Sequence, residues 1–281
     1  MTLREAQIHL KNKLNKIEDG NIEAGFVLEG VTGLNRTELL FNFDRLITDE
    51  QLSQADEMAD RRLSGEPIQY ILGCWDFMGF SFRVGEGVLI PRPETEILVE
   101  RILDEIKDIN EPVIYDLCSG SGCIGLSIAK IRSDAKVFLV EKSSQALKYL
   151  CDNRENLSCD GNNTTVIQGD ILRFEDFCDL PSADVIVSNP PYIRSDEIPF
   201  LQSEVLREPH MALDGGDDGL IFYRSLVFDW SKKLKENGFM AFECGEDQAN
   251  DICNLFDEIN FDNETVNDYN NIQRIVIGRS N

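Results

Sequence analysis

The sequence predicts an α/β protein: a parallel, doubly wound sheet with helices on both faces and an antiparallel last strand, preceded by a small helical bundle. Three observations carry this. From residue 112, apolar β-type runs alternate with amphipathic helical runs, the pattern of a parallel sheet whose crossovers are helices. A Gly-rich turn, D-L-C-S-G-S-G-C-I-G at 116–125, joins the first of these runs to the first helix. The segment before residue 70 shows helical spacing and glycine punctuation instead.

Residues 1–72 read as the helical bundle. Ala6, Leu10 and Leu14 recur at helical spacing. Thr37, ahead of Leu39, Leu40 and Phe43, predicts a capped helix start. Thr48 followed by Gln51 is a capping-box pattern opening a helix to Leu63. Residues 73–90 read as a β-hairpin linker, with Trp75, Phe77, Phe80, Phe82 and Val84 between glycines. Residues 91–281 form the second domain. Pro93, Glu94 and Glu96 suit the first turn of a helix running through Ile106. Strands are expected at 112–117, 135–140, 164–170, 183–191 and 238–244, and helices at 122–132, 143–156, 219–237 and 247–258. The runs 261–269 and 272–280 have no helix between them and should pair antiparallel.

Composition limits the function. Of 281 residues 42% are hydrophobic and 28% charged, an ordinary globular balance. The net charge of −24 is the wrong sign for gripping long stretches of phosphate backbone. No apolar run approaches a membrane span, and the charged N-terminus lacks the pattern of a secretory signal. Eight cysteines without C-x-x-C and only two histidines argue against zinc and for reduced thiols in a cytoplasmic protein. No metal is expected, and a monomer is the default.

Gly120, Gly122 and Gly125 satisfy G-x-G-x-x-G between a strand and a helix, and Glu141 ends the second strand. An acid there can accept from two ribose hydroxyls, so an adenosine cofactor is expected at the carboxyl edge of the sheet. The spacing alone serves either a dinucleotide or S-adenosylmethionine. Asp116, at the tip of the first strand, favours a cation over a diphosphate. Asp170, after the third strand, is a candidate acceptor for the adenine amino group.

The fourth strand ends in S-N-P-P-Y at 188–192. Two prolines cannot continue a ladder. Placed beside the Gly-rich turn, the Asn189 side-chain oxygen and the Pro190 backbone carbonyl could accept both hydrogens of a planar –NH₂ group. That would orient a poor nucleophile and stabilise its developing positive charge. Pro191 adds rigidity, and Tyr192 offers a face for stacking. No basic catalyst is needed, which agrees with the scarcity of histidine.

Together D-L-C-S-G-S-G, Glu141, N-P-P-Y at 189–192, I-P-R-P-E-T-E at 90–96 and E-P-x-x-A-L-D-G-G-x-D-G-L at 208–220 resemble the HemK/PrmC family of peptide chain release factor glutamine methyltransferases. The resemblance covers nearly the whole chain. It implies a class I S-adenosylmethionine-dependent methyltransferase fold with a Rossmann-like sheet. It implies methylation of the side-chain amide nitrogen (N5) of the glutamine in the Gly-Gly-Gln loop of class I release factors. S-adenosyl-L-methionine would be the donor and S-adenosyl-L-homocysteine the product. The helical bundle would help to dock the release factor. Asp116, Cys118, Ser119, Gly120, Ser121, Gly122, Glu141, Asp170, Ile171 and Asn189 would contact the cofactor. Asn189, Pro190, Pro191 and Tyr192 would hold the glutamine, with Asn189 and Pro190 catalytic.

Two positions depart from the family pattern: Cys118 stands where glycine usually follows D-L, and Glu141 where aspartate is commoner. The long segment 193–218 is expected to cover the substrate channel, with Arg92 and Glu94 at its border. The alternatives are an amino methyltransferase acting on adenine or guanine, a nicotinamide-dependent oxidoreductase and a non-catalytic cofactor-binding scaffold. Direct nucleic-acid binding and membrane association are not expected.

Overall fold

The computed structural model describes residues 1–159, 161 and 163–280. The expected end of the second domain, Asn281, lies outside the described residues. The chain divides into two compact units, one of residues 1–74 with 202–207 and one of 75–201 with 208–281.

Among the described residues the first unit holds five α-helices: α1 (Leu3–Lys13), α2 (Gly20–Thr32), α3 (Arg36–Phe41), α4 (Asp49–Leu63) and α5 (Ile68–Leu72). Capping boxes start three of them. Thr2 pairs with Glu5, Asn35 with Glu38 and Thr48 with Gln51, each satisfying orphan N–H groups at a helix start. The Thr48 box lies where the sequence places it. The start expected at Thr37 is corrected to Asn35, because the asparagine oxygen reaches the Glu38 N–H at 2.9 Å and takes the cap two residues earlier. Leu3, Ala6, Leu10 and Leu14 of the N-terminal stretch pack with Ala24, Val27 and Leu28 of α2 and Ala55 and Ala59 of α4.

A buried ion pair sits in this small unit. The Arg62 guanidinium donates from Nε and Nη2 to the two Glu23 carboxylate oxygens at 2.6 and 3.1 Å, and from Nη2 to Glu204 at 2.5 Å. Nothing in the spacing of the sequence announces it.

A hairpin of β1 (Cys74–Phe77) and β2 (Phe80–Arg83) follows, and all of it but Cys74 belongs to the second unit. Met78 and Gly79, between the strands, both have positive φ, 52° and 75°, as a tight two-residue hairpin turn requires. Phe77 and Phe82 are buried in the core of this unit. Then follow α6 (Pro93–Glu105), β3 (Val113–Leu117), α7 (Cys123–Ile131), β4 (Lys136–Glu141), α8 (Ser144–Asn156), β5 (Thr164–Gln168), β6 (Ala183–Ser188), α9 (Ile221–Phe228), β7 (Leu234–Glu243), α10 (Ala249–Glu258), β8 (Asp262–Asn267) and β9 (Gln273–Arg279).

The seven-stranded sheet has the order β5-β4-β3-β6-β7-β9-β8. β3 to β7 run parallel, whereas β9 is antiparallel to both β7 and β8. The strand order reverses at β3, which lies between β4 and β6, so the ligand crevice belongs there. Side chains alternate between two cores. Ile114, Leu139, Val185 and Ala241 face one layer with α6 and α7; Tyr115, Val140, Ile186 and Met240 face the other with α9 and α10.

The helix expected over 219–237 is shorter than the pattern suggests. It ends at Phe228, a 3₁₀ turn spans Trp230–Lys233, and β7 begins at Leu234. Trp230 is fully buried and its indole N–H donates to the Ile171 carbonyl at 2.9 Å. The Lys233 ammonium donates to the Leu180 carbonyl at 2.6 Å. These tertiary bonds outweigh the helix propensity of S-K-K-L-K-E-N.

Candidate active site

β3 and β6 are neighbours in register, with Leu117 opposite Ser188. The residues after them, Cys118 and Asn189, therefore leave the sheet side by side at its carboxyl edge. Both line a cleft of about 960 Å³, open solvent at its mouth included, built wholly from the second unit.

The turn after β3 is shaped by left-handed backbone. Cys118, Gly120 and Gly122 have φ of 62°, 55° and 81°. This explains the glycine usually found at the position of Cys118, since a side chain there carries a steric cost. Gly125 serves packing instead: a Cβ on it would meet Asp116 Oδ2 at 2.8 Å and Leu139 at 2.9 Å. A Cβ on Gly120 would meet nothing within 4 Å, so its backbone faces open space in the cleft.

Cys118, Ser119, Gly120, Ser121, Glu141, Asp170, Ile171, Asn189 and Pro191 are on the wall. Glu141 accepts from the Gly120 N–H at 2.8 Å and the Ser143 N–H at 2.6 Å. Burial raises its carboxyl above the ordinary range, against those backbone bonds. Asp170 accepts from Leu172 N–H at 3.1 Å and pairs with Lys142 at 2.8 Å. Burial works to raise it, but the Lys142 bond and the backbone hold it below its ordinary value.

Asp116, Gly122, Pro190 and Tyr192 are not on the cleft wall. Asp116 is fully buried behind it, and its Oδ2 accepts from the Gly125 N–H at 2.9 Å. Burial pushes it up to about 7, with the Glu141 charge adding repulsion against the Gly125 bond. Its Oδ1 has no partner among the described residues. Gly122 caps α7. Pro190 is buried, and among the described residues no donor reaches its carbonyl oxygen. Tyr192 packs against the core under the sheet, with its carbonyl held by Gln248 Nε2 at 2.9 Å. The S-adenosylmethionine expected from the sequence fits this cleft. Open space lies at Gly120, the Glu141 carboxylate stands on the wall at the tip of β4, and the Asp170 carboxylate stands on the same wall one strand over.

Sequence reasoning missed three residues here. Thr95, one turn into α6, lines the cleft and is 1% exposed. The Asn189 amide N–H₂ donates to Thr95 Oγ1 at 3.3 Å, and the Thr95 hydroxyl donates to the buried Glu243 at 2.5 Å. Glu243 ends β7, so the rule that ligands gather at the carboxyl ends of strands could have found it. The third, Glu208, accepts from the Ile90 N–H at 3.0 Å and pairs with Arg92. It ties the segment after β6 to I-P-R-P, and Pro209, Met211 and Ala212 just beyond it line the cleft.

The model of the PrmC N-terminal domain matches residues 3–73, and that of conserved hypothetical protein 95 matches residues 82–222. The chain is 40% identical over 268 residues to the release factor glutamine methyltransferase of Clostridium acetobutylicum, covering 93% of this chain and 90% of that protein. It is 34% identical to that of Caulobacter vibrioides, covering 100% and 97%. The chain belongs to the release factor glutamine methyltransferase family. Among solved structures, a methyltransferase from Pyrococcus furiosus has a TM-score of 0.54 at 16% identity, covering 80% of this chain and 98% of that one. The 16S rRNA N2 G1207 methyltransferase of T. thermophilus, solved with AdoMet and guanosine, has 0.53 at 15%, covering 74% and 50%. These neighbours show that this release factor glutamine methyltransferase family member has the class I methyltransferase fold.

Proposed function

We propose that this protein transfers a methyl group from S-adenosyl-L-methionine to the side-chain amide nitrogen of the glutamine in the Gly-Gly-Gln loop of class I release factors. The observation that carries the reading is the Asn189 amide, which stands on the cleft wall beside the Gly-rich turn with its nitrogen held by Thr95. Its oxygen is left to accept.

S-adenosylmethionine supplies a methyl group on a positively charged sulfur, an electrophile that needs no activating acid. The chain's own residues do the rest. Gly120 lets the backbone approach the ligand, and Glu141 offers carboxylate oxygens at the tip of β4. Asn189 Oδ1 accepts one amide hydrogen of the glutamine; the Pro190 carbonyl oxygen, set behind the wall but with no donor among the described residues, is the acceptor proposed for the other. They hold its nitrogen in line and stabilise the charge that grows there as the N–C bond forms. The nitrogen then sheds one proton to water, so no side chain is needed as a base.

The helical unit contributes to docking the release factor in this reading. Its exposed Leu40, Phe41 and Leu46 are the kind of apolar surface that protein partners cover. A net charge of −24 speaks against nucleic acid as the substrate. The test is mass spectrometry of the organism's release factor after incubation with the protein and S-adenosylmethionine. One added methyl on the loop glutamine is expected. Methyl transfer to nucleic acid instead would refute the reading.

A further inference from the structure

An asparagine side chain can present either its oxygen or its NH₂ to a ligand. Only the oxygen can accept an N–H from a substrate amide; the flipped rotamer would set donor against donor. Something must choose between them at Asn189.

We propose that Thr95 and Glu243 are positioning residues for methyl transfer, forming a one-way hydrogen-bond relay that aims the Asn189 oxygen at the substrate –NH₂. The inference rests on the proposed function and deepens it. A threonine hydroxyl has one proton to give. An ionised Glu243 can only accept, so it takes that proton at 2.5 Å. Thr95 Oγ1 is then an acceptor toward Asn189 and draws in its NH₂ at 3.3 Å. The asparagine oxygen is left facing the cleft. Both relay members are buried, Thr95 at 1% and Glu243 at 2% exposure, so water cannot substitute for either.

A protonated Glu243 reverses the direction. It can donate to Thr95, whose proton is then free for the Asn189 oxygen, and the amide turns its NH₂ toward the substrate. The groups around Glu243 set where this happens. Burial raises its carboxyl to about 7; the Thr95 bond and Arg274 of β9 oppose the rise, Glu94 adds to it and Arg92 opposes it. The Tyr192 and Tyr223 phenols and the Cys123 and Cys244 thiols also face this carboxylate, and burial holds the proton on each of them. The relay therefore switches near neutral pH, and turnover falls as pH drops through about 7.

The experiment measures kcat on release factor between about pH 6 and 8 for wild type, Thr95→Val, Thr95→Ser and Glu243→Gln. Calorimetry of S-adenosylmethionine binding confirms that each variant is folded. The wild-type rate is expected to rise about tenfold across that range. In Glu243→Gln the side chain still accepts from Thr95 but cannot titrate, so the ratio of rates at the two ends falls toward one. Thr95→Val loses about 10- to 100-fold in kcat, the scale of a misplaced reacting group, at unchanged S-adenosylmethionine affinity, and Thr95→Ser restores most of it. Its affinity for release factor, measured with S-adenosylhomocysteine present, also weakens. A Glu243→Gln profile that keeps the wild-type acid limb, or full turnover by Thr95→Val, overturns the relay. A wild-type protein that leaves release factor unmethylated refutes the functional reading instead, so the two failures are told apart.

Discussion

In the proposed mechanism one side-chain oxygen, that of Asn189, decides whether the cleft can orient a planar amide. Replacing it by alanine removes that acceptor and leaves the Gly-rich turn untouched. Asn189→Ala should lower kcat by about 10²–10³-fold, the cost of losing one transition-state hydrogen-bond partner, while S-adenosylmethionine affinity changes far less. Single-turnover kinetics with titration calorimetry reads both; wild-type turnover would remove the mechanism. Asp116 is a different case, because its effect is on stability. Burial raises its folded-state value from 3.8 to about 7. The folded chain therefore binds the proton more tightly than the unfolded chain. The stability this contributes is complete below about 3.8 and is lost as pH rises through about 7. Asp116→Asn cannot suffer that loss. In the ligand-free protein the stability of the variant to urea, relative to wild type, should climb across this window, at about 1.4 kcal/mol per pH unit at most. A difference that stays flat with pH would show that Asp116 ionises as freely as in the unfolded chain. These residues were unequally legible. S-N-P-P-Y and the acid at 141 could be read because their meaning is local: a strand end, a turn, a tip. The hydrogen bonds of Thr95 and Glu243 could not, since they join partners across 94 and 148 residues of sequence; only the place of Glu243 at the carboxyl end of β7 was open to a rule.

Among the elements, local signals were reliable where the chain satisfies itself locally. The capping box at Thr48 and Gln51 needs only four residues, and it is present. The alternation along β3, β4 and β6 follows from burial on both faces. The helix over 219–237 failed for the opposite reason: its end is set by Trp230 and Lys233 bonding to Ile171 and Leu180, 59 and 53 residues away. The Arg62–Glu23–Glu204 cluster is the same kind of feature. It joins α4 to α2 and to the 202–207 stretch, which belongs to the helical unit although it interrupts the second in sequence. Side-chain exposure is 3% at Arg62 and 9% at Glu23, so breaking the pair strands a buried carboxylate. Arg62→Ala should cost about 3–5 kcal/mol, and the double change Arg62→Met with Glu23→Leu should recover most of it. Urea unfolding followed by helical circular dichroism checks this. A single variant as stable as wild type would mean that water reaches Glu23 freely.

For the whole molecule, the division into two units shows in the sequence only as a change of pattern near residue 73. Each unit has its own apolar core, so each has its own stability to be shifted. All of the cleft wall comes from 75–201 and 208–281. A ligand bound only by the folded form stabilises what it touches by RT ln(1 + [L]/Kd), about 2.7 kcal/mol at a hundredfold excess over Kd. Saturating S-adenosylmethionine should therefore slow amide hydrogen exchange strongly in β3, β4 and β6 and in the turns that follow them. α1 to α4 should change little. The 202–207 stretch is the sharpest probe. It sits between residues of the second unit in sequence, yet its bonds through Glu204 and Arg207 run to Arg62 and Ser64. Its exchange should follow the helical unit and ignore the cofactor, while Met211 and Ala212, a few residues along the chain, line the cleft and should respond. Protection that instead rises uniformly through 193–218 would mean that the segment moves as one lid, and the boundary at residue 207 would have no energetic meaning.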